Sequence, residues 1–343
     1  MNLEHYKKEF SEKALMNGYS DENIKKCLDY AEPLIKAGLP IIYNLSHFSS
    51  LVGYKKNYLT RAVFFTKYFY KKYEIKKSNG GTREICEPLP SLKDIQIWIL
   101  TNILYKVPIS RFAKAYVKKH TLKNNLTLHR NQAIVVSLDI EEFFPSIRKD
   151  GVENIFNALG YSGLLSNLFG KLCCLENSLP QGAPTSPCLS NIYLSQFDEI
   201  IGGYCLDNEI RYSRYADDMT FSGTAIDIEK LLELVRAQLN QLGLHLNSRK
   251  TKIMRSDQRQ IVTGIVVNDK IQVPRLKRRQ IRQEVYYIKT RGLKDHRQFT
   301  GNNMRNHILH LLGQVNFVLQ INPSDKEFIE YRKFLKTISD NSA

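Results

Sequence analysis

The sequence predicts an α+β fold, with an antiparallel sheet and helices packed on one of its faces. Strand-like runs occur in hairpin pairs, strands and helices do not alternate as in a doubly wound sheet, and everything after Arg275 is helix-patterned. The chain's 343 residues suffice for two average domains or one large architecture with subdomains. Its 43% hydrophobic and 24% charged content is that of an ordinary folded chain.

Near the N-terminus, NIKKCLDYAEPLIKAG reads as an amphipathic helix stopped by Gly38 and Pro40. FFTKYFYKKYEIKKSNGGTREICEP reads as two strands around an Asn79-Gly80-Gly81 turn, broken at Pro88 and Pro90. Leu92, Ile95, Trp98, Ile99 and Ile103 then recur at helical spacing behind Ser91 as N-cap. Ala133 to Leu138, apolar and β-branched, suits an internal strand that delivers Asp139 at its end. One helical stretch from Asp150 to Cys174 precedes the turn-rich LPQGAPTSP and the apolar-periodic SNIYLSQFDEII. EIRYSRYA and MTFSG form the arms of a hairpin around Asp217-Asp218. IDIEKLLELVRAQLNQLG is a helix ended by Gly243, and RQIVTGIVVNDKIQV a further hairpin turning at Asn268-Asp269. In the basic segment that follows, Ile281, Val285 and Ile288 make a buried helical stripe. A second C-terminal helix ends before Pro323, with Ile308, Leu311, Leu312, Val315, Val318 and Leu319 on its apolar side.

The formal charge of +16 and pI near 9.4 favour a polyanionic partner, nucleic acid first and an anionic membrane surface second. MNLEHYKKEF lacks the apolar core of a signal peptide, and no run approaches the roughly 18 apolar residues of a spanning helix. The six cysteines (Cys27, Cys86, Cys173, Cys174, Cys188 and Cys205) form no C-x-x-C pair, so they read as buried thiols in a reducing cytoplasm.

Asp139 at a strand end and Asp217-Asp218 at a hairpin tip place three carboxylates where they can converge. Crowded like charges repel, and without a counter-ion at least one is driven to protonate. Two Mg2+ ions remove the conflict, activating an attacking hydroxyl and stabilising a leaving pyrophosphate. Asp139 and Asp217 are the expected bridging ligands, with the Ile140 carbonyl helping and Asp218 in support. The bland alternative is that Asp139 ends a strand and the acidic pair is a turn. Glu141 and Glu142 are further candidates, but alternation along a strand sends at least one to solvent.

SLDIEEFFPSI, LPQGAPTSP, YADDMTFSG and GLHLNSRKTKI resemble, in this order, the palm motifs of reverse transcriptases, and more narrowly those of retron reverse transcriptases. GLPIIYNLSHFS, YEIKKSNGGTREICEP, NNLTLH and the Val262-Thr263-Gly264 triplet extend the resemblance over residues 38 to 290 or so. One departure is Asn125-Leu126-Thr127-Leu128-His129, where the family usually has Asn-Ala-x-x-His.

The resemblance implies a right-hand polymerase: an N-terminal helical extension at 1–40, fingers at 41–132, palm at 133–149, fingers again at 150–178, palm at 179–273, and a thumb with C-terminal RNA-binding region at 274–343. It implies that Phe144 lies under the incoming sugar and excludes a 2′-hydroxyl; the plain reading of Phe143-Phe144 is that at least one is core. Gln181 would lie by the nucleotide in a loop stiffened by Pro180, Gly182, Pro184 and Pro187. Arg83 would clamp the triphosphate with its forked guanidinium, while Lys76 and Lys77 read as solvated lysines. Lys250, with Lys252 as competitor, resembles the lysine that approaches the leaving pyrophosphate. Asn125 and His129 would contact RNA, although a structural histidine is an equal reading. Val262, Thr263 and Gly264 are candidate readers of RNA stem-loops.

Residues 275 to 297 hold nine Lys/Arg against Glu284 and Asp295. Lys277, Arg278, Arg282 and Lys289 would leave the side opposite the apolar stripe cationic, suiting a thumb helix along a nucleic-acid backbone. A membrane-surface or partner-binding helix is the alternative. The expected function is RNA-directed DNA synthesis, copying part of a structured non-coding RNA from a guanosine 2′-hydroxyl into branched msDNA. The resemblance implies dNTPs as substrates and a separate effector protein acting with the enzyme in anti-phage defence. Other readings are a defence-associated or group II intron-like reverse transcriptase with another primer, and a catalytically silent RNA-binding scaffold.

Overall fold

The computed structural model describes residues 3–76, 80–118, 120–293, 295, 298 and 306–340. The described chain falls into two compact units, one of Met1–Val117, Ile140–Gly202 and Leu232–Asn247, the other of Lys118–Asp139, Gly203–Leu231 and Ser248–Ala343.

The first unit opens with α1 (Leu3–Met16) and α2 (Asp21–Lys36), the latter capped by Ser20 and followed by Gly38 at φ +67°. After α3 (Leu45–Val52) and α4 (Lys56–Phe64), β1 (Tyr70–Lys76) pairs antiparallel with β2 (Thr82–Pro88). The turn expected at Asn79 falls partly outside the described residues, as does Lys77. α5 spans Pro90–Asn102 and starts two residues earlier than expected. Pro90 takes the first turn, where a missing N–H costs nothing, so Ser91 is not the cap. The single helix expected from Asp150 to Cys174 is two, α8 (Lys149–Ala158) and α9 (Gly163–Cys173), preceded by the short α7 (Phe143–Ser146). Gly160, at φ +97°, breaks it in a conformation that L side chains avoid. α10 (Ser186–Tyr193) and α11 (Ser195–Asp207) follow the LPQG loop, and α12 spans Ile228–Gln241.

In the second unit, α6 (Leu122–Leu128) leads into β3 (Ile134–Asp139). β4 (Arg211–Tyr215), β5 (Asp218–Gly223) and β6 (Lys252–Arg255) join it in a four-stranded antiparallel sheet ordered β4-β5-β3-β6. β3 is central, and Val135, Val136 and Leu138 are all fully buried, which explains its near-continuous apolar run. β7 (Ile261–Val262) and β8 (Ile265–Val266) form the next hairpin, but they turn at Thr263-Gly264 rather than Asn268-Asp269. Both turn residues have positive φ (46° and 82°), the signature of the two-residue turn that matches strand twist. A single bridge between Val266 and Gln272 closes the Asn268-Asp269 segment.

The chain ends in α13 (Arg275–Arg291), α14 (His307–Ile321) and α15 (Lys326–Asp340). Ile281, Val285 and Ile288 are buried as the spacing predicts, and they share one core with Leu126, Val135, Met254, Val262 and the apolar faces of α14 and α15.

α15 alters the reading of the basic helix. Arg278 pairs with Asp325 at 2.5 Å and lies over the Phe328 ring. Arg282 grips both oxygens of Glu327 at 2.5 and 2.8 Å. Lys289 stands 5.4 Å from the Tyr331 ring centroid and 5.0 Å from that of Phe334. Three of the four cations assigned to RNA are thus neutralised or stacked within the bundle. Lys277, the fourth, is exposed. The acidic and aromatic residues that claim the others lie about fifty residues downstream, beyond the reach of helical periodicity.

The Arg282 hydrogen bonds hold the Glu327 carboxyl at about 2, below its ordinary range. A depressed carboxyl contributes stability above its unfolded pKa and loses it as pH falls toward the folded value. Glu327→Gln is therefore expected to lower the melting temperature at pH 7 by up to about 3 °C, the effect of a partly exposed bidentate pair. The gap from wild type should close between about pH 4 and pH 2, as read by thermal melts across that range.

Candidate active site

The sheet register builds the acidic centre. Asp139, the last residue of β3, is directly opposite Asp218, the first residue of β5, and Asp218 also faces Tyr215 across the hairpin. Ala216 and Asp217 form the two-residue connection, so the carboxylates at 217 and 218 come from a turn and a strand end respectively. Ala216 has φ +60°, a conformation in which glycine is usual, and it is buried. Arg214, fully buried, donates from Nη1 to the Ala216 carbonyl at 3.0 Å and braces this turn. Sequence reading missed Arg214, because an arginine in an alternating strand ordinarily faces solvent.

Lys250 ends a short 3-10 turn (Ser248–Lys250), and its Nζ donates to both Asp139 oxygens at 2.8 and 2.9 Å. This separates it from Lys252, which is exposed on β6 opposite Ser137. The Asp139 carboxylate is itself buried. Burial, then Asp217, then Asp139, push the Asp218 carboxyl up to about 6. Asp139 raises the Lys250 ammonium through its hydrogen bonds. The Lys250 ammonium thus lies against Asp139 in a cluster of three carboxylates.

Such a set of hard oxygen donors is of the kind that divalent cations prefer. Among the described residues, however, no group of three or more His, Cys, Asp and Glu side chains is preassembled to hold a metal ion. The carboxylates are neighbours by register without forming a coordination shell, since the Asp139 oxygens face Lys250. Ile140 is buried and makes an isolated antiparallel bridge to Leu246. Glu141 and Glu142 are both exposed, and Glu142 has φ +43°.

The remaining nucleotide-site candidates lie in the first unit. The Gln181 carbonyl accepts from Cys86 N–H at 2.7 Å, tying the LPQG loop to the β1–β2 hairpin. A Cβ at Gly182 would stand 2.8 Å from the Cys86 carbonyl oxygen, and the residue has φ +125°. Only glycine fits this approach of loop to hairpin. Arg83 is exposed on β2 opposite Ile75. Phe143 is core, whereas Phe144 is half-buried, its ring 5.2 Å from that of Phe143 and 6.5 Å from that of Tyr116. Tyr116, at φ 61° and half exposed, carries no motif that marks it in sequence.

Two RNA assignments are corrected by burial. His129 is wholly buried, and its Nδ1 and Nε2 hydrogen-bond the Ser222 and Ser213 hydroxyls at 2.8 and 2.7 Å. The Ser213 hydroxyl also donates to Asn125 Oδ1 at 2.6 Å, and Asn125 is likewise buried. These polar ends of the NNLTLH segment lock α6 to β4 and β5, leaving neither side chain open to nucleic acid. In the Val262-Thr263-Gly264 triplet, Val262 is core; only the turn residues reach the surface. Five of the six cysteines are buried, Cys27 being half-buried, and no described helix is long and apolar enough to cross a membrane.

Residues 75–299 match the reverse transcriptase (RNA-dependent DNA polymerase) family. The chain belongs to that family, with its right-hand polymerase fold and its RNA-directed DNA polymerase activity. Among relatives, it is 32% identical to the Escherichia coli retron Ec86 reverse transcriptase over 86% of this chain and 90% of that one. It is also 32% identical to the E. coli retron Ec83 enzyme, covering 78% and 88% of the two chains. Within the family it belongs with the retron reverse transcriptases. Candida albicans telomerase, solved with a fragment of telomeric RNA, is a more distant likeness: TM-score 0.44 and 10% identity over 78% of this chain and 63% of that one. Reverse transcriptases generally depend on divalent metal ions.

Proposed function

We propose that this enzyme copies part of a structured non-coding RNA into DNA, starting from a guanosine 2′-hydroxyl of that RNA and yielding branched msDNA. The supporting observation is likeness to retron enzymes along most of the chain, combined with an intact acidic trio in sheet register. Asp139 and Asp217, with the Ile140 carbonyl and Asp218 in support, would hold two Mg2+ ions, which when bound would supply a lowered pKa for the attacking hydroxyl and charge stabilisation for the leaving pyrophosphate.

The hydroxyl oxygen attacks the α-phosphorus of a dNTP, forming one P–O bond as the bond to pyrophosphate breaks. Lys250 offers a positive charge and a donor toward that pyrophosphate. Arg83 clamps the triphosphate through two parallel N–H groups, Gln181 lies by the nucleotide, and Phe144 excludes a ribose 2′-hydroxyl. We propose the subdomain limits given above for fingers, palm and thumb. We place the enzyme in the cytoplasm, acting with a separate effector protein in anti-phage defence.

Sequencing the nucleic acid that co-purifies with the full chain tests this reading. A branched RNA–DNA molecule with a 2′,5′ linkage at one guanosine is the expected product. Random cellular RNA without attached DNA would instead support a primer-independent or scaffold role. Phe144→Ala is expected to raise rNTP incorporation relative to dNTP by about tenfold to a hundredfold, since a pocket that no longer crowds C2′ discriminates weakly. Single-nucleotide extension with competing rGTP and dGTP measures it, and unchanged selectivity would remove Phe144 from that role.

A further inference from the structure

The end of α4 and the turn that follows it carry a surface that polymerase chemistry does not use. Phe64, Phe65 and Tyr68 are 68%, 56% and 68% exposed, three large rings within five residues. They do not belong to a loose segment. Leu59 and Ala62 on the inner face of α4 are fully buried, and the Thr66 hydroxyl donates to the Ala62 carbonyl at 2.7 Å. Tyr58 and Phe69 pack edge to face at 5.5 Å beneath. The scaffold is ordered, and it turns aromatic rings outward.

Cations sit on those rings. Lys67 Nζ is 5.1 Å from the Tyr68 ring centroid, and Lys171 Nζ, from α9, is 5.0 Å from that of Phe64. Arg61 and Lys71 are exposed to either side in sequence. Residues 55 to 76 contain seven Lys/Arg and a single acid, Glu74. Lys72 is taken by Glu84 and Glu176, whereas Arg61, Lys67, Lys71 and Lys171 form no ion pair with any described residue. The surface therefore presents flat apolar faces edged with uncompensated positive charge.

We propose that this surface binds unpaired nucleic acid, with bases stacked on Phe64, Phe65 and Tyr68 and phosphates against Arg61, Lys67, Lys71 and Lys171. Base-on-ring stacking adds about 1–3 kcal/mol per base and is indifferent to sequence. A duplex keeps its base faces inside the helix and offers phosphates alone, so it leaves the exposed rings unused. An acidic peptide likewise satisfies the cations but not the rings. A membrane surface wants a free amphipathic helix, and the inner face of α4 is already buried. The interaction requires neither the carboxylates nor a metal, so it stands or falls independently of the proposed chemistry.

The test uses the full chain carrying Asp217→Asn and Asp218→Asn, in EDTA, so that no synthesis intervenes. Fluorescence anisotropy measures binding of labelled oligo(rU), oligo(dT) and a blunt duplex RNA at several salt concentrations. Phe64→Ala/Phe65→Ala/Tyr68→Ala is expected to weaken both single strands by about tenfold or more, and the duplex by less than about twofold. Arg61→Gln/Lys67→Gln/Lys171→Gln should make the single-strand salt slope shallower by about 2. Stacking ignores the 2′-hydroxyl, so a loss confined to RNA or to DNA would overturn the proposal. So would equal loss on the duplex, wild-type affinity in the aromatic variant, or a loss seen only with phosphatidylserine vesicles. Tyr68→Trp keeps a ring in place and avoids any folding defect: its added emission should be quenched by oligo(rU) and not by inorganic phosphate. Absence of quenching would count against the surface on its own.

Discussion

Asp217→Asn combined with Asp218→Asn is expected to cut dNTP incorporation by more than about a thousandfold, the scale of removing charge stabilisation from a polar-transfer centre. The effect is large because Asp217 and Asp218 are two of the three carboxylates proposed to hold the metal ions. Burial and two neighbouring carboxylates already push Asp218 up to about 6, while Lys250 is committed to Asp139. Amides in place of the two acids remove the charge that would draw divalent cations, yet keep the shape of the turn. The same substitutions relieve repulsion, so the fold should not suffer. Melting temperature at pH 7 is expected to stay level or rise by a few degrees. Template extension with Mg2+ reads the first effect and thermal denaturation the second. Substantial residual synthesis would mean that these carboxylates are not the reaction centre. A large fall in melting temperature would mean that they are structural.

His129→Ala should produce the largest loss of stability, about 3 kcal/mol or more, which for a chain of this size lowers the melting temperature by roughly 4 °C or more. Both imidazole nitrogens are hydrogen-bonded in a fully buried position. Truncation leaves a cavity and removes the imidazole partner of the Ser213 and Ser222 hydroxyls, of which Ser213 keeps its bond to Asn125. Well below the transition, affinity for RNA should match wild type, since the ring never reaches the surface. Differential scanning calorimetry with RNA-binding titrations separates the two outcomes. A variant that melts normally but binds RNA tenfold more weakly would restore His129 to the RNA interface.

Legibility differed from element to element for physical reasons. The apolar run before Asp139, the Tyr215-Ala216-Asp217-Asp218 hairpin and the Ile281, Val285, Ile288 stripe could be read directly, because local periodicity reports which face is buried. Pro90 and Gly160 also act locally, but each shifts a helix boundary through a backbone effect that apolar spacing does not register. The turn at Thr263-Gly264 was hidden by a β-branched residue in a conformation it seldom adopts. His129 and Asn125 look the same in sequence whether they face solvent or a serine on a neighbouring strand.

Chain order and residue type alone determined the α+β class, the placement of three carboxylates at strand and turn ends, and the excess of positive charge. Those features depend on contacts a few residues apart, or on composition. Only the folded molecule decided that Lys250 rather than Lys252 meets Asp139, and that Arg278 and Arg282 pair with acids on α15. It alone decided that Arg214 braces the Tyr215–Asp218 turn from inside. Each of these pairings joins groups whose partner is set by packing rather than by spacing. A charged side chain's role follows from whichever opposite charge or carbonyl lies nearest in space, and the length of chain between the two carries no record of it.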